Sequence, residues 1–107
     1  MNELTLEKFN ALSKRYPSRL PVFVHTSNHD LMLGKDRFLV PRDFTCAQLL
    51  LCIRKHCSVC DTEALFLTAG NKMYTASTAI EDMWARSKDK NTNFLILQVS
   101  KESTFGQ

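Results

Sequence analysis

The 107-residue chain contains no run of about 18 apolar residues and no apolar stretch of signal-peptide length near its N-terminus. It also has no internal repeat and no low-complexity segment. A chain of this length with 44% hydrophobic residues is expected to form one small domain with its own core. We therefore expect a cytoplasmic protein, whose attachment to any membrane would depend on something other than its own helices.

Strong charge of one sign is also missing. The net charge is +3 and the pI about 8.8, which is too weakly basic to favour a nucleic-acid partner. No Ser/His/Asp set or pair of carboxylates has the spacing of a catalytic site, and His25, His29 and His56 are scattered. We expect no catalytic residue, no cofactor and no enzymatic activity.

The four cysteines raise the question of a zinc or redox site, because Cys57 and Cys60 form a C-x-x-C pair that follows His56. Structural zinc takes four converging ligands, usually from two such pairs. A thioredoxin-like motif would begin a helix, whereas this pair follows one. We therefore interpret the cysteines, including Cys46 and Cys52, as reduced buried or incidental thiols and predict no metal site.

Apolar residues recur at helical spacing in three segments, which are residues 2–14, 45–57 and 78–87. In the first, Leu6, Phe9 and Leu12 form one stripe, and Asn2 is the expected cap. In the second, Thr45 and Gln48 have capping-box spacing.

Four segments have the composition of strands, which are residues 20–26, 36–40, 63–69 and 93–99. The turns are expected at Gly34 and Gly70, so the first two strands form a hairpin with a long loop. The last strand is the most apolar and is expected at the centre of the sheet. This order predicts an α+β fold, with the ubiquitin-like β-grasp and the ferredoxin-like sandwich as alternatives.

The chain ends KESTFGQ, with an aromatic residue, a glycine and one further glutamine. Two interpretations are open at this point. The segment is either a frayed end or a tail that another enzyme recognises.

Several blocks resemble the autophagy ubiquitin-like modifiers, the GABARAP family and its relatives. The blocks are RYPSRLPVFV, RFLVPRDFT, LLCIRKH, EALFL and ESTFG, in the family's order. The resemblance implies a ubiquitin-like β-grasp with an N-terminal helical extension. It divides the chain into the extension (1–15), the ubiquitin-like domain (16–100) and a flexible conjugation tail (101–107). The family usually has two helices before its Tyr-Pro motif, whereas 15 residues precede Tyr16 here, and Lys8 replaces a frequently acidic residue.

The resemblance also assigns a function to the tail. A processing cysteine protease would cut after Gly106, with Phe105 as its anchor, and activating and conjugating enzymes would join Gly106 to phosphatidylethanolamine. Two acyl chains give stable membrane anchoring, so the conjugate would reside on the autophagosome membrane. The alternative is a ubiquitin-like binding module, or a modifier of protein lysines, that is never lipidated.

Finally, the resemblance implies that cargo receptor peptides of the form aromatic-x-x-aliphatic add as a strand beside residues 36–40. The implied aromatic pocket consists of Leu12, Pro21, Phe23, Arg37, Leu39 and Phe94. The implied aliphatic pocket consists of Phe38, Val40, Pro41, Phe44, Leu49, Cys52 and Ile53. Arg37 would also meet acidic residues that flank such peptides. The competing interpretation is that these are core residues and that Arg37 is a solvated charge.

Overall fold

A computed structural model describes residues 3–27, 31–58 and 63–101. Within these ranges the helices are α1 (Leu6–Arg15), α2 (Cys46–Arg54) and α3 (Ile80–Ser87). The strands are β1 (Arg19–His25), β2 (Arg37–Pro41), β3 (Leu65–Ala69), β4 (Lys72–Met73) and β5 (Leu95–Lys101). All three predicted helices and all four predicted strands are present.

The strands form one mixed sheet in the order β2-β1-β5-β3-β4. β1 and β2 pair as the predicted antiparallel hairpin, and β5 lies parallel to β1 and antiparallel to β3. The prediction that the last strand occupies the centre is therefore confirmed. A crossover is needed between the two hairpins, and α2 provides it.

The core lies on the sheet face that α2 covers. Alternate residues of a strand point to the same face, and the members of the core come from alternate positions of β1, β2, β3 and β5. From α2, Leu49 and Ile53 are fully buried among them. From α3, Ile80 and Met83 are fully buried as well.

An aromatic cluster holds α1 in place. The ring of Phe9 stacks on Trp84 of α3, with 6.0 Å between the ring centroids, and meets Phe94 edge-on at 5.7 Å. Trp84 donates its indole N–H to the carbonyl of Asn93 over 2.6 Å. Of the predicted stripe, Phe9 is buried, Leu12 is half-buried and Leu6 is 43% exposed, so Leu6 was wrongly assigned to the packed face.

Helix boundaries differ from the sequence prediction for identifiable reasons. α1 begins at Leu6 because the Thr5 hydroxyl accepts from the Lys8 amide, so the expected cap at Asn2 was wrong. The capping box of Thr45 and Gln48 is confirmed. α2 ends at Arg54 instead of residue 57, because residues 56–58 turn away to pair with residues 32–34.

Two further differences concern strands. The two-residue strand β4 was missed, although the turn before it was predicted at Gly70, whose φ of 61° suits glycine. β5 runs through Lys101, which pairs with Leu65 and places its Nζ 3.3 Å from a carboxylate oxygen of Glu63. The rest of the predicted tail, with Phe105 and Gly106, lies outside the described residues. No helix in the described ranges is long and apolar enough to cross a membrane.

Candidate functional site: an edge strand between two cavities

β2 is an edge strand of the sheet, with β1 as its strand neighbour in the described part of the chain. The Val24 amide donates to the Asp36 carbonyl over 2.8 Å, and the Arg42 amide donates to the Ser18 carbonyl over 3.2 Å. In an antiparallel pair, hydrogen-bonded positions alternate with positions whose backbone groups point away. The N–H and C=O groups of Arg37 and Leu39 therefore face the open edge.

One cavity lies on each side of this edge. The α1-side cavity has a volume of about 480 Å³ and is lined by Leu4, Leu12, Arg19, Pro21, Val22, Lys35, Arg37, Phe38, Leu39 and Phe94. The α2-side cavity has a volume of about 360 Å³ and is lined by Arg19, Lys35, Phe38, Leu39, Val40, Pro41, Phe44, Leu49, Cys52, Lys55 and His56. Both volumes lie in the range of about 300–1,000 Å³ that is usual for ligand pockets.

The alternation of β2 explains why the cavities lie on opposite faces. Phe38 and Val40 pair with Val22 and Leu20 of the core face, and both are buried. Leu39 pairs with Pro21 on the other face and is half-buried. Phe38 and Val40 thus serve as core residues as well as cavity walls, which agrees in part with the competing interpretation.

The structure brings together most of the residues that the resemblance implied. Five of the six expected in the aromatic pocket line the α1-side cavity, and six of the seven expected in the aliphatic pocket line the α2-side cavity. Phe23 lies on the α1 side of the sheet under the guanidinium of Arg37, at 5.8 Å, but does not line the cavity. Ile53 is fully buried in the core and does not line the α2-side cavity.

Basic side chains form much of the rim. Arg19 and Lys35 line both cavities, and Lys55 and His56 line the α2-side cavity. The ammonium of Lys35 lies 4.9 Å from the centre of the Phe38 ring. These four residues were not predicted from the sequence. The rim therefore offers positive charge to whatever occupies the cavities.

Two other basic residues have different surroundings. Arg54 donates to the backbone carbonyl of Glu63, which ties the end of α2 to the start of β3. Lys8 bonds to the carbonyl of Glu3 over 2.6 Å and does not line the α1-side cavity.

Of the thiols in the described part of the chain, that of Cys46 is buried and those of Cys52 and Cys57 are half-buried. Burial raises the pKa of the Cys46 thiol. Burial also raises the pKa of Cys57, an effect that the nearby positive charge of Arg54 partly opposes. Among residues 3–27, 31–58 and 63–101, no group of three or more histidine, cysteine or carboxylate side chains could hold a metal ion. Cys60 is not among these residues.

We predict that replacing Cys57 and Cys60 with serine leaves the folded domain intact. The raised pKa of Cys57 makes its thiol a poor metal ligand, because the thiolate is the form that binds zinc. The measurement is the zinc content of the purified wild-type protein together with thermal unfolding of both proteins. One equivalent of zinc per chain, lost on chelation together with stability, would contradict the prediction.

Taken together, the parallel pairing of the first and last strands, the flanking hairpins and the crossover helix define a ubiquitin-like β-grasp preceded by a helix. The crystal structure of Trypanosoma brucei ATG8 has the same fold, with a TM-score of 0.81 and 28% identity over 94% of this chain and 88% of that one.

Sequence comparison identifies the family. The family model described as "Autophagy protein Atg8 ubiquitin like" matches residues 5–106. Autophagy-related protein 8h of Arabidopsis thaliana is 30% identical over 103 residues, covering 94% of this chain and 86% of the relative. Autophagy-related protein 8 of Mycosarcoma maydis is 30% identical over 112 residues, covering 99% and 94%. The chain belongs to the Atg8 family of autophagy ubiquitin-like modifiers, which confirms the resemblance found in the sequence.

Proposed function

We propose that this protein is a lipid-conjugated modifier of autophagy that docks receptor peptides of the aromatic-x-x-aliphatic type on the open edge of β2. The aromatic side chain would enter the α1-side cavity and the aliphatic side chain the α2-side cavity. Gly106 would be the residue joined to phosphatidylethanolamine after a cysteine protease removes Gln107. The autophagosome membrane would be the site of the conjugate.

The observation that supports docking is the placement of the cavities on opposite faces of one edge strand. A peptide that adds beside β2 is itself extended, so its side chains alternate between the two faces. Positions i and i+3 are three steps apart along the strand, an odd number, and their side chains therefore point to opposite faces. The three-position offset between the two anchors of the motif thus fits one cavity on each side of β2, whereas an even offset does not.

The backbone groups at the edge support the same proposal. The N–H and C=O groups of Arg37 and Leu39 face outward, in the arrangement that strand addition needs. Hydrogen bonds to these groups would fix the register of the peptide, and the cavities would select its side chains. Arg37 lies beside the α1-side cavity, where it would attract acidic residues next to the aromatic one.

We predict that peptide affinity depends on odd spacing. A neutral peptide with tryptophan and leucine three positions apart should bind. The same composition rearranged to two positions apart should bind about tenfold more weakly or worse, because one apolar side chain then stays in water. Isothermal titration calorimetry of both peptides against the full chain provides the measurement.

A third peptide serves as the control, with alanine in place of leucine at the original spacing. It should lose about as much affinity as the rearranged peptide, since both leave the α2-side cavity empty. Equal affinity of the two tryptophan-leucine peptides would mean that the cavities do not accept side chains from one extended strand, and the docking proposal would then be wrong.

A further inference from the structure

The side chain of Arg19 occupies part of the edge at which a peptide would dock. Arg19 belongs to β1, where it pairs with Pro41, and its Nη1 donates to the carbonyl of Leu39 over 3.1 Å. That carbonyl is one of the groups that face away from β1. The guanidinium therefore reaches around β2 and binds the outer edge of the sheet.

The position of this bond is central to the candidate site. Arg19 and Leu39 each line both cavities, so the bond lies between the place of the aromatic side chain and that of the aliphatic one. A peptide strand beside β2 needs the Leu39 carbonyl as an acceptor for one of its own amides. The peptide and the guanidinium therefore compete for the same oxygen.

We propose that Arg19 guards the β2 edge and selects peptides that carry an acidic residue between the aromatic and aliphatic positions. This inference rests on the proposed docking function. A neutral peptide must displace the guanidinium from Leu39 without providing it with an equivalent partner. A peptide with a carboxylate between its two anchors gives the displaced guanidinium a charged acceptor, and hydrogen bonds of this kind are stronger than those to a neutral carbonyl.

Protection of the edge gives Arg19 a second effect in the unliganded protein. An exposed strand edge can pair with the edge of another chain, and charged side chains at the edge are a common means of preventing this. Arg19 both occupies an acceptor and places a positive charge there. The Arg19 side chain would thus oppose non-specific strand addition, while peptides with the matching acidic residue could still bind.

Lys35 provides the matched comparison. It lines the same two cavities and carries the same charge, but its ammonium lies over the ring of Phe38. The hydrogen bond to the outward carbonyl of Leu39 comes from Arg19. Replacing either residue with methionine removes one positive charge and adds similar apolar surface, whereas Arg19→Met alone frees that acceptor.

The experiment measures binding of two peptides to wild type, Arg19→Met and Lys35→Met by fluorescence anisotropy. Both peptides have tryptophan and leucine three positions apart. The residues between them are two serines in the neutral peptide and one serine with one glutamate in the acidic peptide. Arg19→Met should bind the neutral peptide roughly two- to tenfold more tightly than wild type. This factor corresponds to the net free energy of one hydrogen bond, which the neutral peptide no longer has to break. The preference of this variant for the acidic peptide should fall by a similar factor.

Lys35→Met should not tighten binding of the neutral peptide. The carbonyl carbon resonance of Leu39 in the unliganded protein gives a readout that needs no peptide. It should move in Arg19→Met and stay in place in Lys35→Met.

The outcomes separate this inference from the docking proposal. If wild type binds neither peptide, docking at β2 is wrong. A second outcome is that wild type binds, while Arg19→Met binds the neutral peptide with unchanged or lower affinity, or gains no more affinity than Lys35→Met does. In that case the proposed role of Arg19 is wrong and the docking proposal stands. An unchanged Leu39 carbonyl resonance in Arg19→Met would likewise contradict the proposed role of Arg19, because the hydrogen bond from Arg19 to Leu39 would then be absent in solution.

Discussion

A chain that carries Gly106→Ala is expected to stay entirely unconjugated, with its C-terminal glutamine retained. In the proposed reaction sequence, the residue at this position passes through a protease and then two conjugating enzymes. Glycine presents no β-carbon to the walls of a narrow channel, and its carbonyl is the least hindered for repeated acyl transfer. One methyl group added here should therefore block every later step.

The measurement is the intact mass of the protein from membrane and cytosolic fractions of cells that contain the conjugation enzymes. Wild type should lose Gln107 and gain one phospholipid, whereas Gly106→Ala should keep its full mass and remain off membranes. Deleting Gln107 bypasses the protease and should still give the lipid conjugate. Ser103→Ala is the matched control, since the same segment changes by one atom while the conjugated residue is retained.

A lipid-modified Gly106→Ala protein would place the conjugation site elsewhere. An unmodified wild type in the same cells would favour the alternative function, a ubiquitin-like module that acts without lipidation. In that case the docking proposal would remain, because it depends on β2 and not on the tail.

Phe38→Ala is expected to lower the free energy of unfolding by about 3–5 kcal/mol, the usual cost of removing a buried aromatic side chain. Phe38 is 7% exposed and belongs to the core cluster that α2 covers. Since small domains are stable by about 5–15 kcal/mol, this one substitution should remove a large part of the total. Chemical denaturation with urea measures the change.

Leu39→Ala is the matched control from the next position of the same strand. Its side chain is half-buried and lies outside the core cluster, so its loss should cost less than half as much stability. It lines both cavities, however, and its loss should weaken binding of the tryptophan-leucine peptide. Equal losses of stability in the two variants would show that core side chains do not alternate with less buried ones along β2.

Sequence periodicity predicted the helices and the four longer strands because each buries one face against a common core. The ends of these elements were predicted less accurately than their presence, and residues 45–57 show why. The start of α2 was predicted correctly, since Thr45 and Gln48 form a local cap. Its end depends on residues 32–34, which are distant in sequence and pair with residues 56–58. β4 was missed because two residues cannot show a period.

The candidate site, like the fold, was predicted from the sequence only in part. Its apolar walls were named from the sequence with the help of the family resemblance, since Leu39, Pro41 and their neighbours form one recognisable block. Arg19 and Lys35 were missed, although they directly precede the predicted strands 20–26 and 36–40. The place of Arg19 at the edge follows from the register of β1 against β2, and that of Lys35 from its contact with the Phe38 ring, and both are visible only in the folded sheet.

The central position of β5 also sets the order in which this protein can fold during synthesis. β2 and β1 form one hairpin, β3 and β4 form another, and the two share no strand pairing until β5 lies between them. Val22 pairs with Leu95, so β1 can pair with β2 early but obtains its β5 partner only after the intervening residues 26–94 have been synthesised. Such long-range pairing closes slowly. The sheet that carries the proposed docking edge is therefore completed only by β5, the strand that precedes the proposed conjugation residue Gly106, and a chain that terminated before β5 would lack both.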